Sequence, residues 1–314
     1  MRNPLKNAIH ALKHNRRHLV YAMLHRFSWL FPNDERYLKL YYKYIMGLPL
    51  DLENPKTFNA KQQWLKLYNR KDIYTTMADK VAVKDYVAGI IGPEYVIPTL
   101  KVWKTPGDID FDALPDQFVL KTNNDGGCNG VVVCKDKSQL DRKKALKELR
   151  HSFYFRNPYL KAREWPYKNI KKCVFAEKYM EDSRLKELRD YKIYCFSGVP
   201  KIFLLVSGRG SQTKANFDYY DEHFRHLDLQ QGNTPAPVPP EKPESFDEMM
   251  RLAAILSRDI PFARVDFYEV DGRPYFGEFT FFDSGGTAAF QPEEWDDILG
   301  SWIQLPPKQQ ETGK

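Results

Sequence analysis

Residues 118–133 read FVLKTNNDGGCNGVVV, two short runs rich in Val, Leu and Phe on either side of a loop holding Gly126, Gly127 and Gly130. Runs of that length and composition extend as strands, and the loop between them turns the chain back. Glycines let successive backbone N–H groups close around phosphate oxygens in a concave nest. Lys121 ends the first run and can set a positive charge beside the same phosphates. The spacing does not fit G-x-x-x-x-G-K-[ST] and no helix directly follows the glycines, which argues against a P-loop. A plain hairpin with a long loop gives the same local pattern.

A second strand pair, residues 263–270 and 273–281, turns at Asp271-Gly272. Asp266 lies inside one strand and Glu278 inside the other, each between apolar neighbours. A charge in such a setting is costly without a partner. Folding the hairpin brings the two acids to one face, the arrangement Mg2+ takes when phosphates complete its oxygen shell. The alternative is ion pairing with Arg264 or Arg273. A third strand, residues 174–179, holds Glu177, whose carboxylate can accept from the exocyclic amine of adenine.

Around these segments, residues 35–70 read as helical with an interruption at Gly47 and Pro49, and Asn54–Thr57 is a turn able to start the next helix. Residues 75–91 read as one helix, 96–100 as a short strand and 138–151 as a basic helix. Residues 190–196 and 201–206 form a hairpin, and 245–258 an amphipathic helix. The proline-rich stretch 232–243 is an exposed connection. The 314 residues are 42% hydrophobic and 28% charged, values of a globular chain rather than a disordered one. A formal net charge of +7 favours anionic partners. Cys128, Cys134, Cys173 and Cys195 form no C-x-x-C pair and show no zinc spacing, so they read as reduced thiols of a cytoplasmic protein without a secretory signal. Residues 1–30 hold Arg2, Lys6, Lys13, Arg16, Arg17 and Arg26 with no acid. Too charged to span a bilayer, this segment suits either an anionic membrane surface or a helix docked on the protein itself.

The order of these segments resembles the ATP-grasp superfamily and, more narrowly, its family named for teichuronic acid biosynthesis. The resemblance rests on NPKTFN (54–59), QWLKLY (63–68), ADKVAVKDYV (78–87), FVLK (118–121), AEKYM (176–180), DYKIYCFSG (190–198), RVDFY (264–268), FGEFT (276–280) and WDDILG (295–300). Three places depart from the family pattern. Ala60 stands where Glu is usual, Lys84 where Arg is usual, and Asn123–Gly127 replaces a loop that more often holds His and Ser.

The resemblance implies an α+β, ATP-grasp fold with ATP held between two α+β lobes and a helical N-terminal extension. The expected divisions are a helical region (1–70), an N-terminal α/β lobe (71–116), a lobe with the glycine-rich loop (117–180) and a C-terminal lobe with the metal site (181–314). It further implies ATP phosphates on Lys80 and Lys121 under the loop of Gly126, Gly127 and Gly130. Adenine would lie at the hinge of Glu177, Lys178, Tyr179 and Met180, and Mg2+ on Asp266 and Glu278, with Thr280 where many relatives have a metal-binding Asn. Lys192 and Arg264 would face the transferred phosphate or acyl phosphate, and Arg209 the acid substrate, with Asp190 structural. The implied chemistry is carboxylate–amine ligation through an acyl phosphate in cell-surface polysaccharide biosynthesis, with glycosyl transfer as the alternative. Expected partners are ATP, a carboxylated sugar or amino acid, and peripheral contact with an anionic inner membrane face, but not nucleic acid.

Overall fold

Four of the described α-helices begin at a side-chain cap, on Asn33, Thr57, Asp141 and Asn157. The structure, a computed structural model, describes Val20 and residues 23–126, 130–185, 187–208 and 215–308. Asn33 accepts from the Arg36 amide at 2.8 Å to start α1 (Asp34–Met46), which ends at Gly47 with φ +77°. Thr57 accepts from the Ala60 amide to start α2 (Phe58–Tyr68), as the Asn54–Thr57 turn predicts. The expected single helix over 75–91 is instead two, α3 (Ile73–Ala78) and α4 (Ala82–Ile91). The cause is Asp79, whose extended backbone stops α3 while its carboxylate accepts from the Val81 and Ala82 amides at 2.9 and 3.3 Å. The basic helix runs later than expected, as α5 (Arg142–Phe155), because Asp141 caps the Lys144 amide. A short α6 (Pro158–Ala162), then α7 (Phe246–Leu256) and α8 (Glu294–Trp302) complete the described helices of this type.

The strands form two main antiparallel sheets. The smaller has the order β1-β4-β2-β3, from β1 (Thr99–Trp103), β2 (Phe118–Thr122), β3 (Val131–Cys134) and β4 (Val174–Lys178). The strand expected at 96–100 thus lies a few residues later, and the glycine loop joins β2 to β3 at one edge. The helix α5 covers this sheet, with Leu149 and Phe153 against Phe118 and Leu120 in a separate small core. The larger sheet draws on β5 (Asp190–Phe196), β6 (Val199–Ser207), β7 (Asn216–Asp221), β9 (Ala263–Val270) and β10 (Arg273–Thr280), in the order β10-β9-β5-β6-β7. Every residue of the central β5 is buried, as expected for a strand covered on both faces. A two-stranded ribbon pairs β8 (Gln230–Gln231) with β11 (Phe290–Gln291). The main core joins the larger sheet to the N-terminal helices and α7 through residues such as Phe58, Phe203, Phe246 and Phe262.

Among the described residues no helix is long and apolar enough to cross a membrane. Most of the basic segment 1–30 lies outside the described residues.

Candidate active site

The hairpin of β9 and β10 sets Glu278 opposite Asp266, but only through an irregularity. From Val270↔Arg273 the ladder runs regularly to Phe267↔Phe276, and then skips Gly277. A regular ladder would place Gly277 opposite Asp266. The extra residue is a β-bulge, and a side chain there would press within 3.1 Å of the Asp266 carbonyl oxygen and 3.2 Å of the Tyr268 ring. Glycine at this position therefore fixes which residue faces Asp266.

Both acids lie in a network of cations. Lys192, the β5 residue paired with Asp266 in the ladder, donates to Asp266 Oδ2. Arg264 donates to both Asp266 oxygens at 2.7 and 2.8 Å, to Thr280 Oγ1 at 3.0 Å, and to Asp283. Lys80 pairs with Glu278 at 2.8 Å and donates to the Asp125 carbonyl at 2.7 Å. The helix break at Asp79 is what turns Lys80 off the helical path toward β10. Burial alone would raise the Asp266 carboxyl, but Arg264 and Lys192 hold it at about 2. Burial likewise opposes ionisation of Glu278, and Lys80 overrides it, so its pKa is lowered. The ion pair with Arg264 foreseen as an alternative is thus present for Asp266, and both carboxylates remain ionised oxygen donors.

Glu177 is the centre of a second cluster. It is nearly fully buried and pairs with Lys121 from β2 and with Lys84 from α4, the latter at 3.0 Å. Burial pushes its carboxyl up, but Lys121 and Lys84 prevail and lower it. Lys84 also donates to the Ile97 carbonyl and Thr99 Oγ1, both at 2.9 Å. The sequence marks Lys84 only as a departure from a family pattern, yet it ties α4, β1 and β4 together at this point.

Asn123 anchors the entry to the glycine loop. Its side chain donates to Asp79 at 2.9 Å and to the Lys171 carbonyl at 3.0 Å, and accepts from the Cys173 amide at 2.8 Å. Its carbonyl accepts from the Lys80 amide. The departure at Asn123 therefore supplies a buried brace between the loop and the Lys80 turn. Asp125 accepts from Ser152 Oγ at 2.9 Å and from the Gly126 amide at 2.8 Å. Gly130 has φ +64°, and a side chain there would overlap Ser152 and Thr122, so its glycine is a packing requirement.

One cavity of about 990 Å³ gathers Lys80, Lys121, Gly126, Glu177, Lys192, Arg264, Asp266, Glu278 and Thr280. Gly130, Lys178, Tyr179 and Met180 are outside its lining. The Lys178 amide is engaged by the Pro98 carbonyl at 3.0 Å, and the Tyr179 hydroxyl donates to Glu181. Gly127 and Arg209 lie outside the described residues. Residues missed by sequence reasoning but present in the wall include Lys84, Tyr268 and Asp283. Asp283 could not be found from spacing, because the turn after β10 brings it back to Arg264.

The profile of the TupA-like ATP-grasp family matches residues 60–304, and the chain belongs to that family. Its fold is accordingly ATP-grasp, with the mixed helices and antiparallel sheets described above. None of the curated proteins matches the sequence. Among solved structures the chain is similar to the D-alanine–D-alanine ligase of Bacillus anthracis, at 18% identity over 66% of this chain and 57% of that one, with a TM-score of 0.38. It is also similar to the D-alanine–D-alanine ligase of Helicobacter pylori, at 14% identity over 80% of this chain and 70% of that one, TM-score 0.42. A third is the N5-carboxyaminoimidazole ribonucleotide synthetase of Thermus thermophilus, at 15% identity over 78% and 52%, TM-score 0.36. The chain spans less than two thirds of the length of the B. anthracis and T. thermophilus proteins.

Proposed function

We propose that the protein is an ATP-dependent ligase that activates a carboxylate as its acyl phosphate and passes the acyl group to an amine or related nucleophile. The observation carrying this reading is the single cavity in which Lys80, Lys121, Lys192 and Arg264 meet the cross-strand acids Asp266 and Glu278. Membership of an ATP-grasp family supports it. The nucleotide would lie between the lobe of residues 117–180 and that of residues 181–314, with adenine on the Glu177 side of the cavity. Lys80 and Lys121 would hold its phosphates beneath the loop of Gly126, Gly127 and Gly130.

Asp266 and Glu278 fit Mg2+, which prefers hard oxygen donors and is commonly held by one or two carboxylates plus phosphate. Among the described residues no group of three or more His, Cys, Asp or Glu side chains is placed to hold a metal alone, so phosphate oxygens would share the ion with these two acids. Thr280, engaged by Arg264, would stand at the edge of that set. The ion would neutralise charge on the phosphoryl group as it transfers.

The chain's own residues then orient and stabilise. The substrate carboxylate attacks the γ-phosphorus, the bond to the β-bridging oxygen breaks, and ADP leaves. The nucleophile adds to the acyl carbon and inorganic phosphate departs. Lys192 and Arg264 offset charge on the transferred group, and the wall of the cavity keeps water from the acyl phosphate. Arg209 is proposed for the acid substrate. A carboxylated sugar or an amino acid in cell-surface polysaccharide assembly is the proposed substrate class, with the enzyme on the cytoplasmic side. The basic run at the N-terminus, next to exposed Met23, Phe27 and Leu30, would give peripheral contact with an anionic leaflet.

The test is a screen of uronic acids, sugar-linked uronates and amino acids with Mg-ATP and hydroxylamine. The proposal expects ADP release and a hydroxamate with one carboxylate class. Glycosyl transfer from a nucleotide sugar without ATP contradicts it.

A further inference from the structure

The geometry points to a second subsite at the mouth of the same cavity, one that takes an anionic saccharide group. This deepens the ligase reading and rests on it, since here the second substrate would enter beside the glycine loop. The cavity that holds the acid–lysine network is also lined by His25, Arg26, Arg156 and Lys161, together with the rings of Trp29 and Phe155. Trp29 is 67% exposed and Phe155 79%, which places both rings at the opening. Among the described residues no carboxylate lies within ion-pair distance of Arg26 or Lys161. Arg156 meets Asp125 at 3.6 Å and thereby joins the mouth to the loop that Lys80 braces. Burial, then the charges of Lys161 and Arg156, lowers the His25 pKa, so two of the cations in the cavity wall act on this ring and favour its neutral form.

The position of this mouth is built into the fold. Arg163 is fully buried, donates to the Ser28 and Phe31 carbonyls at 2.7 and 2.9 Å, pairs with Asp34 at 2.8 Å, and stacks on Tyr37 with its guanidinium 4.0 Å from the ring centre. That clamp fixes the turn Ser28–Leu30, and with it Trp29, against the segment that supplies Lys161. Aromatic faces beside cations suit a ligand with an apolar ring face and an acidic group, which describes a sugar phosphate or uronate. A flat membrane is a poorer match, because Trp29 and Phe155 line a concavity.

The experiment follows the His25 ring by NMR as glucose 1-phosphate is added to the whole chain, with the signal assigned by its loss in His25→Gln. A bound anion favours the charged imidazole, so the titration midpoint should rise by about one pH unit, saturably. The rise should vanish in Arg26→Ala/Lys161→Ala, two exposed positions. Trp29→Ala should weaken the response to glucose 1-phosphate more than tenfold and leave that to inorganic phosphate unchanged. No shift at millimolar glucose 1-phosphate overturns the proposal. An equal response to inorganic phosphate that ignores Trp29→Ala overturns the saccharide assignment, and a response only to vesicles containing anionic lipid assigns the mouth to a membrane instead. The measurement needs neither ATP nor turnover. A saturable shift without carboxylate-dependent ADP release would refute the ligase reading and leave the subsite standing.

Discussion

Glu278 faces Asp266 across β10 and β9 because Gly277 is looped out of the ladder between them. A valine at 277 would meet the Asp266 carbonyl and the Tyr268 ring at close range. Gly277→Val should cost about 1–3 kcal/mol of stability, as overpacking does, and should weaken Mg-dependent ATP binding further than the loss of stability explains. Chemical denaturation and calorimetric ATP titration, with and without Mg2+, separate the two effects. A variant with unaltered Mg-ATP affinity would show that the bulge does not set the acid pair.

The acids themselves give a sharper test of metal binding. Asp266→Asn and Glu278→Gln should each reduce Mg-ATP affinity at least tenfold and bring turnover close to background. Lys121→Ala should weaken ATP whether or not Mg2+ is present, because its charge acts on phosphate directly. Retained Mg-dependent binding in both acid variants would remove them as metal ligands.

The Asp79 break predicts a coupled effect. Asp79→Ala removes a carboxylate that accepts from two amides at the start of α4 and from Asn123. A lost cap of this kind costs about 1 kcal/mol. Because Lys80 follows directly, ATP affinity should fall as well, while Thr57→Ala, a cap of α2, which supplies no residue to the cavity wall, should lower stability alone. Equal ATP binding in the two variants would argue against the link between the break and the site.

Acid stability follows from Asp266. Its folded pKa, about 2, is below its unfolded value. Such a group contributes stability that is fully present above the ordinary carboxylate range and is lost as pH falls toward 2. The contribution is roughly 2 kcal/mol. Urea unfolding between pH 5 and 2.5 should show a steeper loss in the natural chain than in Asp266→Asn. Identical slopes would contradict the assignment.

Much of this site is legible in the sequence, and the reasons differ from part to part. The strands flanking the glycine loop announce themselves by composition, and Asp271-Gly272 announces the hairpin that brings Asp266 and Glu278 together. Local signals suffice there because the chemistry and the backbone demand coincide in neighbouring residues. The interruption at Asp79 was not legible, because residues 75–91 keep helical spacing on both sides of it and the competing Asp79 contacts are invisible in periodicity. The bulge at Gly277 was equally hidden, since one skipped residue leaves no mark on composition. Lys84 and Asp283 reach the site only through tertiary packing, from a helix and from a turn after β10.

Phosphoryl transfer from ATP to a carboxylate leaves an oxygen-isotope signature in the inorganic phosphate released. The carboxylate that supports ADP release is supplied with 18O in both oxygens, and the released inorganic phosphate is analysed by mass. Acyl phosphate formation places the carboxylate oxygen in the bridge to phosphorus, and attack at carbon then expels phosphate bearing it. Each phosphate released should carry one 18O atom, with the signal abolished in Asp266→Asn. Phosphate released without label would contradict it.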